Sequence, residues 1–303
     1  MTINNYFLNL EELVGKFHNI TVEDCADNYF YNIPSIVGPR DLICYLKCRE
    51  NIIEKSKLFR AKHPVDYLVW AKGNADNVSC TKVGGVPYRP LSRPWPRNKS
   101  GNHLPFICQF NFVNSRDIVN TENDVMLFFA DIRDSNIEDW CIEWHDLTLL
   151  DDEVITPPPE DLLVYEPYHG YLFRHYNLDE DIRDLYNSKR ISQKYNLSVP
   201  NASCIGNFIE GGPSDERFIS NSIGNHNLLC RLASIEFSYP SKPHPFVNIA
   251  SAIDCVAYEE KLSNHIHFNR HPFLDPFQVG DGGSIYFYRN NNGDVVPYLN
   301  FKH

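Results

Sequence analysis

The chain has 303 residues, and several absences narrow what they can do. No window approaches the roughly 18 consecutive apolar residues of a membrane span, which excludes a helical membrane protein. The start, MTINNYFLNLEELVGKF, lacks a basic stretch followed by an apolar run and a small-residue cleavage site; a cytoplasmic location with no membrane partner is therefore expected. The nine cysteines form an odd set, Cys25, Cys44, Cys48, Cys80, Cys108, Cys141, Cys204, Cys230 and Cys255, with no CxxC pair. That scatter excludes a disulfide framework and predicts buried free thiols acting as small hydrophobes. Positive charge is in short supply, 28 Lys and Arg against 39 Asp and Glu, so a general nucleic-acid binder is excluded, because neutralising phosphates needs a basic face. No GxSxG elbow, HExxH helix, P-loop or GxGxxG turn occurs. No catalytic residue is assigned on this basis, no cofactor is implied, and the reading leans away from an enzyme.

What is present is an ordinary globular mix, 43% hydrophobic and 22% charged, long enough for one large domain or two packed units. Residues 1–77 read as mainly helical. From Asp41 to Arg60, Leu42, Ile43, Leu46, Ile52 and Ile53 recur near helical spacing behind Pro39, the pattern of an amphipathic helix. Val65 to Trp70 then reads as a strand, because β-branched and aromatic residues cluster before a Gly73-Asn74 break. Residues 78–301 change character. Short β-prone runs at Pro105 to Phe112, Val125 to Ala130 and Trp140 to Trp144 alternate with Pro, Gly and Asn clusters, which predicts sheets. Pro157, Pro158 and Pro159 mark a stiff surface connection. A second helix is expected from Asp179 to Tyr195, acidic at its start and basic later. The fold class expected is α+β and β-dominated, with two similar β-rich halves packed together. The halves are compared through Gly84-Gly85-x-Pro87 before LPFICQFNF, and Gly211-Gly212-Pro213 before NLLCRLASIEF.

Charge is segregated along the chain. Between Glu143 and Asp184 twelve acidic residues face only Arg174 and Arg183, whereas Thr81 to Ser115 carries Lys82, Arg89, Arg93, Arg97 and Lys99 with no acid. Two roles fit the acidic insert at 143–184: a solvated face that maintains solubility, or a docking surface selecting a basic partner by sign. In the second role the contacts are Glu143, Asp151, Asp152, Glu153, Glu160, Asp161, Glu166, Asp179, Glu180 and Asp181. Tyr165, Tyr168 and Tyr171 are then either anchors or core.

The densest histidine cluster is His265-x-His267-x3-His271. Alternate strand positions would put His265 and His267 on one face. The segment is rich in Asn and Pro, and no metal site is expected from it.

Three segments carry a resemblance: Thr81 to Tyr88 (TKVGGVPY) followed by Trp95-Pro96, Leu104 to Phe112 (LPFICQFNF), and Gly280 to Phe287 (GDGGSIYF). Together, and in this order, they resemble the YwqG-like family, a bacterial family of largely undefined function. The resemblance implies a β-dominated fold over residues 78–301 and, because some members are associated with toxin loci, an immunity-like role by analogy. The motif residues also have local physical roles. Gly84, Gly85, Gly280, Gly282 and Gly283 suit turns, Pro87 pins the chain, and Asp281 suits a turn that caps local amides. Trp95 either closes one end of a core or forms an exposed platform. Gln109, inside an apolar strand, must hydrogen-bond if buried.

The function expected is a non-enzymatic intracellular binder, most concretely one that neutralises a cognate toxin through its acidic surface. The rival reading is an enzyme or small-ligand binder with a pocket between the two β-rich halves.

Overall fold

The computed structural model describes residues 7–8, 62–72, 74–133, 136–147, 157–162, 164–165, 167–178, 203–206, 227–233, 284–290 and 292–300. Among these residues eleven strands occur in chain order: β1 (Phe7–Leu8), β2 (Lys62–Lys72), β3 (Lys82–Val83), β4 (Phe106–Asn111), β5 (Val125–Arg133), β6 (Asn136–His145), β7 (Tyr168–Leu178), β8 (Cys204–Ile205), β9 (Asn227–Ala233), β10 (Ser284–Arg289) and β11 (Val295–Asn300). They form one sheet in the order β11-β10-β9-β8-β2-β7-β3-β4-β5-β6, with β1 beside β7. All pairings are antiparallel except that of β1 with β7.

The sheet curls into a nearly closed barrel. The reason lies in its inner side chains. β10 is distant from β4 and β5 in the strand order, yet the Phe287 ring packs edge-on against Phe128 at 5.0 Å and Phe110 at 5.8 Å. Strands far apart in the ladder thus face each other across one core. That core gathers Leu68 and Trp70 from β2, Val83, Phe110, Met126, Phe128, Tyr168, Leu172, Ile205, Cys230, Ile285, Phe287 and Val295. At about 25 cal/mol per Å² of apolar surface removed from water, such burial is the main stabilising contribution.

β5 shows how sequence becomes two layers. Its near-continuous apolar run VMLFFA sends Met126, Phe128 and Ala130 to the inner core. Val125, Leu127 and Phe129 join an outer cluster with Tyr88, Trp95, Leu104, Phe106 and Leu147. A strand buried on both faces needs no polar alternation. The partner β4 reverses its inner face at a bulge, where Phe106 pairs Phe129 but Cys108 pairs Phe128. The extra residue, Ile107, lets Phe106 point outward while Ile107 and Cys108 both reach the inner core.

These observations correct the expected α+β class. Among the described residues helix is reduced to short 3-10 turns such as Val113–Ser115. The described parts of 1–77 include strands β1 and β2, not a mainly helical segment. A β-branched and aromatic run from Val65 to Trp70 extends fully paired along β7 through all eleven residues of β2. The proposed helices at 41–60 and 179–195 lie outside the described residues. The second correction concerns the two halves. They are not separate units packed together: β3 to β6 and β8 to β11 are wings of one sheet, continuous through the central pair β2 and β7. The expected strands at 65–70, 105–112, 125–130 and 140–144 correspond to β2, β4, β5 and β6.

No helix among the described residues is long and apolar enough to cross a membrane.

Candidate functional site

The GGVPY turn and the acid-free stretch after it wrap the outer cluster over β4 and β5. Gly84 and Gly85 sit at φ of 64° and 67°, a left-handed conformation that costs a non-glycine residue roughly 1 kcal/mol or more. A Cβ on Gly85 would also meet the Pro167 Cβ at 3.0 Å and Asn74 Oδ1 at 3.1 Å. The Gly84 amide donates to the Ile107 carbonyl and that of Gly85 to the Tyr165 carbonyl, so the turn is bolted to both β4 and the segment before β7. Pro87 is buried beside it.

Gln109 fastens the same turn. It accepts from the Tyr88 amide at 2.9 Å and donates to the carbonyls of Val78 at 2.9 Å and Cys80 at 2.6 Å. Its side-chain amide therefore ties backbone groups together, which is how a fully buried glutamine avoids a desolvation cost. Trp95 is 8% exposed and belongs to the outer cluster. Its indole N–H donates to the Leu104 carbonyl at 2.8 Å, and its ring meets Phe129 edge-on at 5.4 Å.

Beneath this wrap lies a buried ion cluster that spacing alone did not reveal. Arg89 is fully buried and grips Glu143 with two bonds, Nε to Oε2 and Nη2 to Oε1, both 3.1 Å. It also donates to the carbonyls of Arg93 and Pro94 and lies over the Trp95 and Phe129 rings at 5.3 and 5.8 Å. Arg93 reaches Glu143 Oε1 at 3.2 Å, and His145 Nε2 lies 3.3 Å from Oε2. Burial pushes the Glu143 carboxyl up, but the bonds from His145 and Arg89 and the charges of Arg89 and Arg93 outweigh it and hold the group at about 2. The carboxylate stays ionised and fully engaged; it is a lock, not a proton acceptor poised for neutral pH. The available signal was an acid in the apolar strand WCIEWH, a position that demands a cationic partner.

A second cluster sits at the other side of the sheet. Asp66, fully buried on β2, accepts from Arg174 Nε at 2.5 Å and Nη2 at 3.0 Å and from Ser115 Oγ at 2.7 Å. Arg174 also holds Asp117 through Nη1 at 2.5 Å and Nη2 at 3.0 Å. Burial pushes the Asp66 carboxyl up against the pull of Arg174 and Ser115; the Arg174 bond holds the exposed Asp117 below the usual range. Asp66 pairs across the sheet with Arg174 itself, a cross-strand opposite-charge pair.

Lys82 differs from both clusters. Its ammonium, buried on β3, donates to the Val78 carbonyl at 2.7 Å. Burial lowers its pKa to about 8 and raises that of neighbouring Cys80 to about 11. The buried thiols of Cys108 and Cys230 are pushed well above the ordinary range, so they are inert at neutral pH.

Of the acids expected at a partner surface, the structure separates three. Glu143 is only 4% exposed, covered on the outer face of the sheet by the wrap that carries Arg89. Glu160 and Asp161 are exposed on the turn that follows Pro157 to Pro159, where the Leu162 amide closes onto the Pro159 carbonyl at 3.0 Å. Asp161 also meets His103 Nδ1 at 3.2 Å. Asp151, Asp152, Glu153, Glu166, Asp179, Glu180 and Asp181 lie outside the described residues, as do Gly280, Asp281, Gly282, Gly283, His265, His267 and His271. Tyr168 is buried, while Tyr165 and Tyr171 are half-buried. Within the acidic stretch, Tyr168–Leu178 is the central strand β7. Among the described residues no three His, Cys, Asp or Glu side chains gather as metal ligands would.

No curated protein matches the chain. Residues 81–152, which contain the GGVPY turn, Gln109 and the whole Arg89–Glu143 cluster, match a domain of unknown function, DUF1963.

Proposed function

We propose that this protein is a non-enzymatic, cytoplasmic interaction protein that binds a basic protein partner through its acidic stretch, most concretely a toxin neutralised by occlusion. The observation that carries the reading is the contrast between two kinds of acid. Glu143 and Asp66 are buried and matched to Arg89 and Arg174, so their charges are spent on the fold. Glu160 and Asp161 stand exposed on a proline-stiffened turn, within a stretch holding twelve acids and two arginines. Surface charge of one sign raises encounter rates and selects partners by sign. The resemblance to the YwqG-like family, some of whose members are associated with toxin loci, points the same way.

The test is native mass spectrometry on the tagged protein purified from its own host, followed by reversal of Glu160 and Asp161 to lysine. A stoichiometric basic protein, toxic when expressed alone and bound with an affinity that falls with salt, is the expected result. A small-molecule adduct with no protein partner, or binding indifferent to the reversal and to salt, overturns the reading.

A further inference from the structure

Lys82 and Gln109 stand directly opposite each other on β3 and β4. Val83, Cys108 and Phe110 belong to the inner core, so Lys82 and Gln109 point to the outer face, where residues so paired have Cβ atoms about 5 Å apart. Their side chains end on one atom. Lys82 Nζ donates to the Val78 carbonyl at 2.7 Å, and Gln109 Nε2 donates to the same oxygen at 2.9 Å. The amine and the amide are thus separated by no more than two hydrogen bonds laid end to end.

The surroundings prepare the amide for attack. Gln109 Oε1 accepts the Tyr88 N–H at 2.9 Å, a fixed donor at the oxygen on which negative charge would develop. The Cys80 carbonyl also holds Nε2, at 2.6 Å, so the amide plane is fixed from both ends. Gln109 is fully buried and Lys82 is 7% exposed, which shields the amide carbon from water, the competing nucleophile. Burial also pulls the Lys82 pKa down to about 8, which makes the neutral, nucleophilic amine reachable under mild conditions. Groups held in orientation behave as though present at about 10⁵ M or more, the factor an otherwise inert amide needs.

We propose that Lys82 and Gln109 form an intramolecular amide cross-link that joins β3 to β4 and closes the GGVPY turn and the wrap after it into a covalent loop. The neutral amine attacks Gln109 Cδ, forming the Nζ–Cδ bond and placing negative charge on Oε1 beneath the Tyr88 amide. Both nitrogens are then on one carbon. One proton passes from Nζ to Nε2, the Cδ–Nε2 bond breaks, its electron pair leaves with ammonia, and Oε1 returns to a carbonyl. Amine and primary amide give secondary amide and ammonia, with no oxidant or other reactant. The titration of Lys82 belongs to the unreacted chain, and the cross-link is independent of the partner reading.

The test is peptide mass spectrometry on the full chain, folded and in urea, incubated for days well below and above the value of about 8 that burial gives Lys82. The expected product is a branched peptide joining Lys82 to Gln109 and lighter by one ammonia. It should form in the folded chain at least about tenfold faster above that value than well below it, and not in urea. Lys82→Arg keeps the cation and should leave Gln109 unmodified. Full mass retained at both positions overturns the proposal. So does conversion of Gln109 to Glu, which would mean that water reaches Cδ first, or a link formed equally fast in urea. Ammonia lost solely at the Asn292-Gly293 pair is succinimide formation in that turn, and overturns it as well.

Discussion

At the scale of single residues, the strongest commitments are buried charges. Arg89 and Glu143 form a buried pair in which each guanidinium nitrogen has an acceptor. Removing Arg89 takes two bonds from buried Glu143 and leaves it to Arg93 and His145, so Arg89→Met is expected to cost about 3 kcal/mol in urea unfolding, the low end for a broken buried pair. Arg89→Met with Glu143→Leu should recover much of that loss, since a buried pair is often replaceable by apolar groups. A double variant as unstable as the single one would count against the pair as the origin. The pH dependence of Glu143 follows from its folded value of about 2 against an ordinary 4.5. The depressed pKa contributes stability that is fully present above the unfolded value and is lost as pH falls through about 4.5 towards 2. Lys82 has the opposite consequence. Its pKa falls from 10.5 to about 8 on folding, so below pH 8 the burial of a charged amine destabilises the protein. That penalty is relieved as pH rises from 8 to 10.5, with a slope approaching about 1.4 kcal/mol per pH unit. Subtracting the pH profile of Lys82→Met isolates it; an unchanged difference across that window would show that Lys82 is solvated in the fold.

At the scale of elements, the GGVPY turn and β5 depend on each other. The turn holds the wrap that covers Val125, Leu127 and Phe129, and Gln109 ties it to β4. Gly85→Ala meets both a positive φ and the Pro167 contact, and a loss of about 1–3 kcal/mol in chemical denaturation is expected. Phe128→Ala and Phe129→Ala should each cost about 3–5 kcal/mol. Their signatures differ: Phe129→Ala alone is expected to change Trp95 fluorescence, because Phe129 touches the Trp95 ring and Phe128 packs on Phe287.

Much of this level was legible in the sequence. A run such as VMLFFA can only be a strand buried on both faces or a core helix segment, and its short length between turn signals decides for strand. The bulge at Ile107 was not legible, because hydrophobicity cannot tell which apolar residue is the extra one. The depth of Glu143 was hidden by its position in an acidic stretch, where composition points to solvent. Its apolar neighbours on β6 pointed the other way.

For the whole molecule, one continuous sheet carries both wings. Residues from β2 to β11 share the inner core, so neither wing retains a complete core without the other. Coincident thermal transitions by far- and near-ultraviolet circular dichroism are expected; two separated transitions would mean the wings fold independently. The amino-acid sequence by itself determined the positions of β2, β4, β5 and β6 and the segregation of acid from base along the chain. These are properties of local pattern and composition. Tertiary structure alone decided that the strands curl into one nearly closed barrel and that Arg89 finds Glu143 and Asp66 finds Arg174. Each depends on residues brought together from distant points in the chain, and pairing across such distances is set by the curl of the sheet and the packing of its core.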